Sequence, residues 1–139
     1  MYSKFGQFID GKWQASSNKE TYDVMNPATE EVIGKASKAT SVDVEKALKS
    51  AAKGFEVWKK IKPWERSKII RKIADEIRKK SKVFANWMTL ETGKTLAEGE
   101  AEVSAAADIF EWNAEETKRI YGQSLQSRFD KTKIQITYQ

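Results

Sequence analysis

A mainly α-helical segment with an N-terminal β-hairpin, further short strands and a C-terminal strand is what this 139-residue sequence predicts. Three observations carry that expectation. Asp10-Gly11 sits between alternating residues; apolar positions recur at three- and four-residue steps from Thr40 to about Tyr121; and the tail "KIQITYQ" alternates Ile134, Ile136 and Tyr138. Side chains return to one face every second residue in a strand and every 3.6 residues in a helix, so the two periods separate the two structures.

Taken in order, "QFIDGKWQ" predicts a hairpin from Phe8-Ile9 into Trp13, because Asp-Gly readily adopts the left-handed dihedrals of a two-residue turn. "SSNKE" loops to "TYDVMNP", where Tyr22 and Val24 form a short strand that Pro27 stops. A turn and a further strand follow around Val32 to Ala36. From Thr40, Val44, Ala47, Leu48, Ala51, Phe55 and Trp58 line one face of a helix that ends near Lys60, with Thr40 and Asp43 as its capping pair. Pro63 opens the next helix, whose apolar face is Ile69, Ile70, Ile73, Ala74 and Ile77. A shorter one runs from about Ser81 to Thr92, and Gly93 occupies its left-handed C-terminal cap. Thr95 caps the last helix, which turns Val103, Ala106, Ala107, Phe110 and Ala114 inward and carries Ile120 and Tyr121 near its end at Gly122. The tail strand stops in mid-pattern, with no turn and no partner behind it.

Composition excludes more than it identifies. The sequence holds no cysteine and no histidine, which removes disulfides, thiolate nucleophiles, the usual zinc sites and imidazole acid-base catalysis. No apolar run approaches the ~20 residues of a membrane span, the first residues lack a signal-peptide stretch, and the protein reads as cytoplasmic. The net charge of +5 is concentrated between Lys59 and Lys82, where eleven Lys or Arg face Glu65, Asp75 and Glu76. Such a run could attract phosphate or an acidic partner. Interleaved apolar residues and the lack of an aromatic platform favour a solvated helix face over a nucleic-acid surface.

Two patterns imitate binding motifs. Gly93-Lys94-Thr95 matches the end of a phosphate-binding loop, but the glycine such a loop needs five positions earlier is Met88, inside a helical stretch. Lys94 and Thr95 are read instead as residues that open a helix after a glycine cap. The seven glycines contain no Gly-x-Gly-x-x-Gly for a dinucleotide. Glu98, Glu100, Glu102 and Asp108 could suggest a metal site, yet no histidine or second acidic strand completes a shell, so an acidic first helical turn is expected.

The segments "FIDGKW", "YDVMNPATEEVIGKASKAT", "VEKALKSAAKGFEVWKK", "ERSKIIRKIADEIRKKSK" and "TLETGKTLAEGEAEVSAAADIFEWNAEETKRIYG" together resemble the amino-terminal third of an NAD(P)-dependent aldehyde dehydrogenase, an α/β family with a Rossmann-like cofactor domain. "LETGKTLAE" and "FEWNAEETKRIYG" are most similar to its succinate-semialdehyde dehydrogenase group. The resemblance implies that residues 1–122 belong to the cofactor-binding domain, with strands over 7–36 and helices over 40–121, and that 123–139 begins the β arm through which such enzymes oligomerise.

In that family a cysteine thiolate attacks the aldehyde, hydride passes to NAD or NADP, and a glutamate-activated water hydrolyses the thioester. The groups for those steps are expected beyond Gln139. The resemblance therefore implies no catalytic, cofactor-binding or metal residue here, no NAD or NADP bound by this chain alone, and no activity alone. Expected partners are the remainder of the dehydrogenase or a second copy, without nucleic acid or membrane. By position, Ala105 and Ile109 could line the substrate entrance of relatives, against ordinary packing as the alternative, and Glu91 with backbone carbonyls near Val24 matches a place where some relatives hold a monovalent cation, against a simple helix-end carboxylate. The competing reading is a free-standing helical interaction module that binds a partner protein; it would bury Ile73 and Phe110 or pair them in an oligomer, whereas a segment cut from a larger core would expose them.

Overall fold

The computed structural model describes residues 6–138; residues 1–5 of the expected first segment and Gln139 of the expected arm lie outside the described residues. The elements in order are β1 (Gln7–Ile9), β2 (Lys12–Gln14), β3 (Thr21–Met25), β4 (Val32–Ser37), α1 (Ser41–Trp58), α2 (Pro63–Lys79), α3 (Ser81–Thr92), α4 (Leu96–Glu116), β5 (Gln123–Gln126) and β6 (Lys133–Ile136). The strands form three separate antiparallel pairs, β1-β2, β3-β4 and β5-β6. The chain divides into two compact units, one comprising the residues up to Ile61 with Lys80–Val103, the other Lys62–Lys79 with the residues from Ser104 onward.

Local chemistry sets the boundaries in the first unit. Asp10 (φ 53°) and Gly11 (φ 74°) make the turn that joins β1 to β2, and Phe8 lies opposite Trp13 with ring centroids 5.2 Å apart. Between β3 and β4 the turn hangs on buried Asn26: its N–H donates to the Glu31 carbonyl, its own carbonyl accepts from the Glu30 N–H, and its Oδ1 accepts from the Ala28 N–H at 2.9 Å. A β-bulge interrupts the register between Val24 and Met25.

At the head of α1 the expected capping box forms. Thr40 Oγ1 accepts from the Asp43 N–H, and the Asp43 carboxylate accepts from the Thr40 N–H at 3.0 Å. The same carboxylate accepts from the Ser17 N–H at 3.1 Å, which ties the loop after β2 to the helix start and buries Asp43. α3 closes on Gly93 (φ 73°), whose N–H donates to the Thr89 carbonyl at 2.9 Å.

In the second unit α2 packs against the 3-10 turn Thr117–Arg119, and β5 pairs with β6 from Gln123 opposite Ile136 to Gln126 opposite Lys133. Two boundaries differ from expectation. α4 ends at Glu116, before the predicted Gly122, and leaves Ile120 and Tyr121 exposed outside it. Near this end Asn113 Nδ2 donates to the Ile109 carbonyl and Thr117 Oγ1 to the Asn113 carbonyl, side-chain bonds that compete with the helical ladder. The tail strand has a partner after all, but it precedes the strand as β5.

The buried apolar residues among those described are Ile9, Ala85 and Val103 in the first unit and Ala74, Ala107 and Ala114 in the second. Four of the six are alanines, so neither core contains a large fully buried side chain.

Candidate functional site

The Gly93-Lys94-Thr95 stretch is engaged with its own chain. A Cβ on Gly93 would stand 3.2 Å from the Pro27 ring, so the space over this glycine belongs to the β3–β4 turn. Lys94 Nζ pairs with Glu102 at 2.6 Å. Thr95 caps α4: its N–H and Oγ1 both donate to the Glu98 carboxylate, at 3.0 and 2.9 Å, and Oγ1 accepts from the Glu98 N–H. Those bonds, first from the Thr95 N–H and then from its hydroxyl, hold the Glu98 carboxyl below its ordinary range. A carboxylate thus occupies the helix end where a pyrophosphate would dock, and the residues do not fit a dinucleotide.

The acidic cluster is divided among separate tasks. Glu98 caps α4, Glu102 pairs with Lys94, and Asp108 accepts from Arg78 at 2.8 Å. Glu100 is exposed.

Two arginines of the basic run pair with acids distant in sequence. In the second unit Arg71 pairs with Glu111 and Glu115, and Arg78 bridges Asp108 and Glu111 at 2.8 and 2.6 Å. The hydrogen bonds that Arg78 donates to Asp108 and then to Glu111 raise its pKa above the ordinary value. Lys118 donates to Glu115, lowering that carboxyl's proton affinity, and sits 5.0 Å from the Trp64 ring centroid. Lys59, Lys68 and Lys79 pair with Glu56, Glu65 and Glu76 one helical turn away.

Ala105 and Ile109 lie one turn apart on one face of α4, both exposed. Glu91 is exposed in the last turn of α3, while Val24 is half-buried beside the β3 bulge.

Several apolar helix faces are open to solvent. In α1, Leu48 is 60% and Phe55 59% exposed, with Val44 and Ala51 exposed between and beside them. These four positions follow the 44, 48, 51, 55 helical repeat and form a continuous stripe. On α2 Ile73 is 41% exposed, and on α4 Phe110 is 39% exposed. Exposed apolar faces on this scale mark surfaces made to be covered.

The sequence matches the model of the Aldehyde dehydrogenase family over residues 13–139. It is 36% identical over 118 residues to glutarate-semialdehyde dehydrogenase of Pseudomonas aeruginosa, covering 85% of this chain and 24% of that protein. With the NADP(+) succinate-semialdehyde dehydrogenase of Escherichia coli it shares 37% over 117 residues, 84% of this chain and 24% of that one. The chain thus spans about a quarter of the length of these curated relatives. Its fold superposes with a TM-score of 0.86 on a betaine aldehyde dehydrogenase point mutant from Staphylococcus aureus solved with NAD+, at 35% identity, covering 96% of this chain and 27% of that one.

Proposed function

The chain belongs to the aldehyde dehydrogenase family, and from that premise we propose that it is the amino-terminal portion of an NAD(P)-dependent semialdehyde dehydrogenase. The substrate of the whole enzyme is a dicarboxylic semialdehyde, succinate semialdehyde first among them, and the product is the corresponding acid. The relatives' names, glutarate- and succinate-semialdehyde dehydrogenase, support that substrate class. NAD or NADP is the cofactor of the complete enzyme, and no residue of this chain is assigned to it.

In this reading the chain supplies structure and contributes no chemistry of its own. Without cysteine it has no thiolate to attack an aldehyde, and without histidine no imidazole to move the proton. Residues up to Gly122 form part of the cofactor domain's strand and helix layer, and residues from Gln123 onward begin the oligomerisation arm. Exposure of Leu125, Ile134 and Ile136 on the β5-β6 hairpin supports the arm assignment. Ala105 and Ile109, adjacent and open on α4, stand as the wall of the substrate entrance.

The single observation that carries the reading is the exposure of Ile73 and Phe110 together with the α1 stripe. A self-sufficient interaction module would bury these residues or present one compact patch; here every helix leaves apolar surface uncovered. The purified chain, incubated with succinate semialdehyde and NAD or NADP, is expected to give the buffer rate. It is also expected to bind an apolar-surface dye or to self-associate. Aldehyde-dependent cofactor reduction that co-purifies with the chain would overturn the first part, and a monodisperse, dye-silent monomer the second.

A further inference from the structure

Four lysines outside the basic run converge on one place in the first unit. Lys12 of β2 and Lys46, Lys49 and Lys53 of α1 line one open cleft of about 450 Å³ in the first unit, with Asp10 and Gln14. None of the four lysines forms an ion pair among the described residues. The one carboxylate at the cleft, Asp10, accepts a hydrogen bond from Ser50 Oγ at 3.5 Å. Residues 46, 49 and 53 repeat at three and four positions, which stacks three ammonium groups along one helix face, and like charges so spaced destabilise a helix. A bound anion would remove that repulsion.

We propose that this cleft binds the linear phosphate chain of a di- or triphosphate compound. Four ammonium groups supply about the charge that a triphosphate carries, and each brings three rotatable donors without the fixed fork of arginine. The volume lies in the range of small-ligand sites. A nucleic acid strand fits less well. Lys12 and Gln14 point to the cleft side of the hairpin while Trp13, between them, packs on Phe8 on the other side, so no ring faces the cleft for a base to stack on. The site is separate from the dehydrogenase reading and does not depend on it.

The test is calorimetric titration of the 139-residue chain with inorganic tripolyphosphate, at low salt and again at roughly 150 mM salt. One saturable site is expected, with orthophosphate about tenfold weaker or more because it reaches fewer ammonium groups. The Lys49→Gln/Lys53→Gln double variant is expected to weaken tripolyphosphate about tenfold, and Lys12→Gln on the opposing hairpin to weaken it as well. The control pair Lys60→Gln/Lys72→Gln, in the basic run, leaves binding unchanged. Circular dichroism of each variant establishes that the helices persist; should the double variant unfold, Lys12→Gln decides. Equal binding by the cleft variants and the unaltered chain would overturn the proposal. So would loss of binding in the control pair, or an oligothymidylate that binds more tightly than tripolyphosphate, which would identify a nucleic-acid surface.

Discussion

Two glycine-to-alanine substitutions, chemically identical and both within helices, are expected to change stability in opposite directions. Gly54 lies inside α1, and a Cβ placed there meets nothing within 4 Å. Alanine at that position should stabilise by about 1 kcal/mol, the helix-propensity difference between the two residues. Gly99 lies in the first turns of α4, and its Cβ would stand 3.0 Å from the Ala85 carbonyl oxygen and 3.4 Å from both Ala85 Cα and Thr89 Oγ1. The optimum for such contacts is about 3.5–4.0 Å, and the nearest atom is α3 backbone, which yields only if the helix moves. Overpacking of this kind costs roughly 1–3 kcal/mol, so even after the propensity gain Gly99→Ala should destabilise by about 1 kcal/mol. The two variants then differ by about 2 kcal/mol, or roughly 6 °C in melting temperature for a chain of this length. Thermal and urea unfolding followed by far-UV circular dichroism measure this directly. If Gly99→Ala melts as high as Gly54→Ala, the close approach of α3 to α4 is not what holds glycine at that position.

Asp43 gives a pH dependence with a definite sign. The Thr40 N–H, and after it the Ser17 N–H, hold its carboxyl well below the ordinary carboxylate range, so its contribution is present above the unfolded pKa near 4. It is lost as pH falls through the depressed folded value. Melting of the unaltered chain and of Asp43→Asn should therefore differ at pH 7 and converge under strong acid, and a gap that persists there would show that the carboxylate's charge is not responsible. At Gly93 the left-handed backbone alone should make Gly93→Ala cost about 1 kcal/mol, with the 3.2 Å approach of the Pro27 ring adding to it. Urea midpoints check this, and an unchanged midpoint would contradict it.

What the sequence by itself determined was the placement of elements, because the interactions that start and stop them span only a few residues. Asp10-Gly11, Thr40 with Asp43, Gly93, and Thr95 with Glu98 each encode a turn or cap from neighbours at most three positions away. β5 escaped notice because Gln123, Ser124 and Gln126 give no apolar alternation; its strand state is decided by pairing with β6. The family was legible for a similar reason, since ordered motifs with fixed spacings survive in one dimension.

Only the tertiary structure decided which faces are covered and which charges are free. The periodicity of α1 marked Val44, Leu48, Ala51 and Phe55 as one apolar face but could not say whether anything lies against it. The pairing of Arg71 and Arg78 is hidden in the sequence because their counterions, Asp108, Glu111 and Glu115, lie 30 to 44 residues further along the chain. The lysines that share the open cleft come from β2 and α1, more than thirty positions apart in sequence. Burial and electrostatic pairing depend on distance in space, and that distance is set when the hairpins and helices pack.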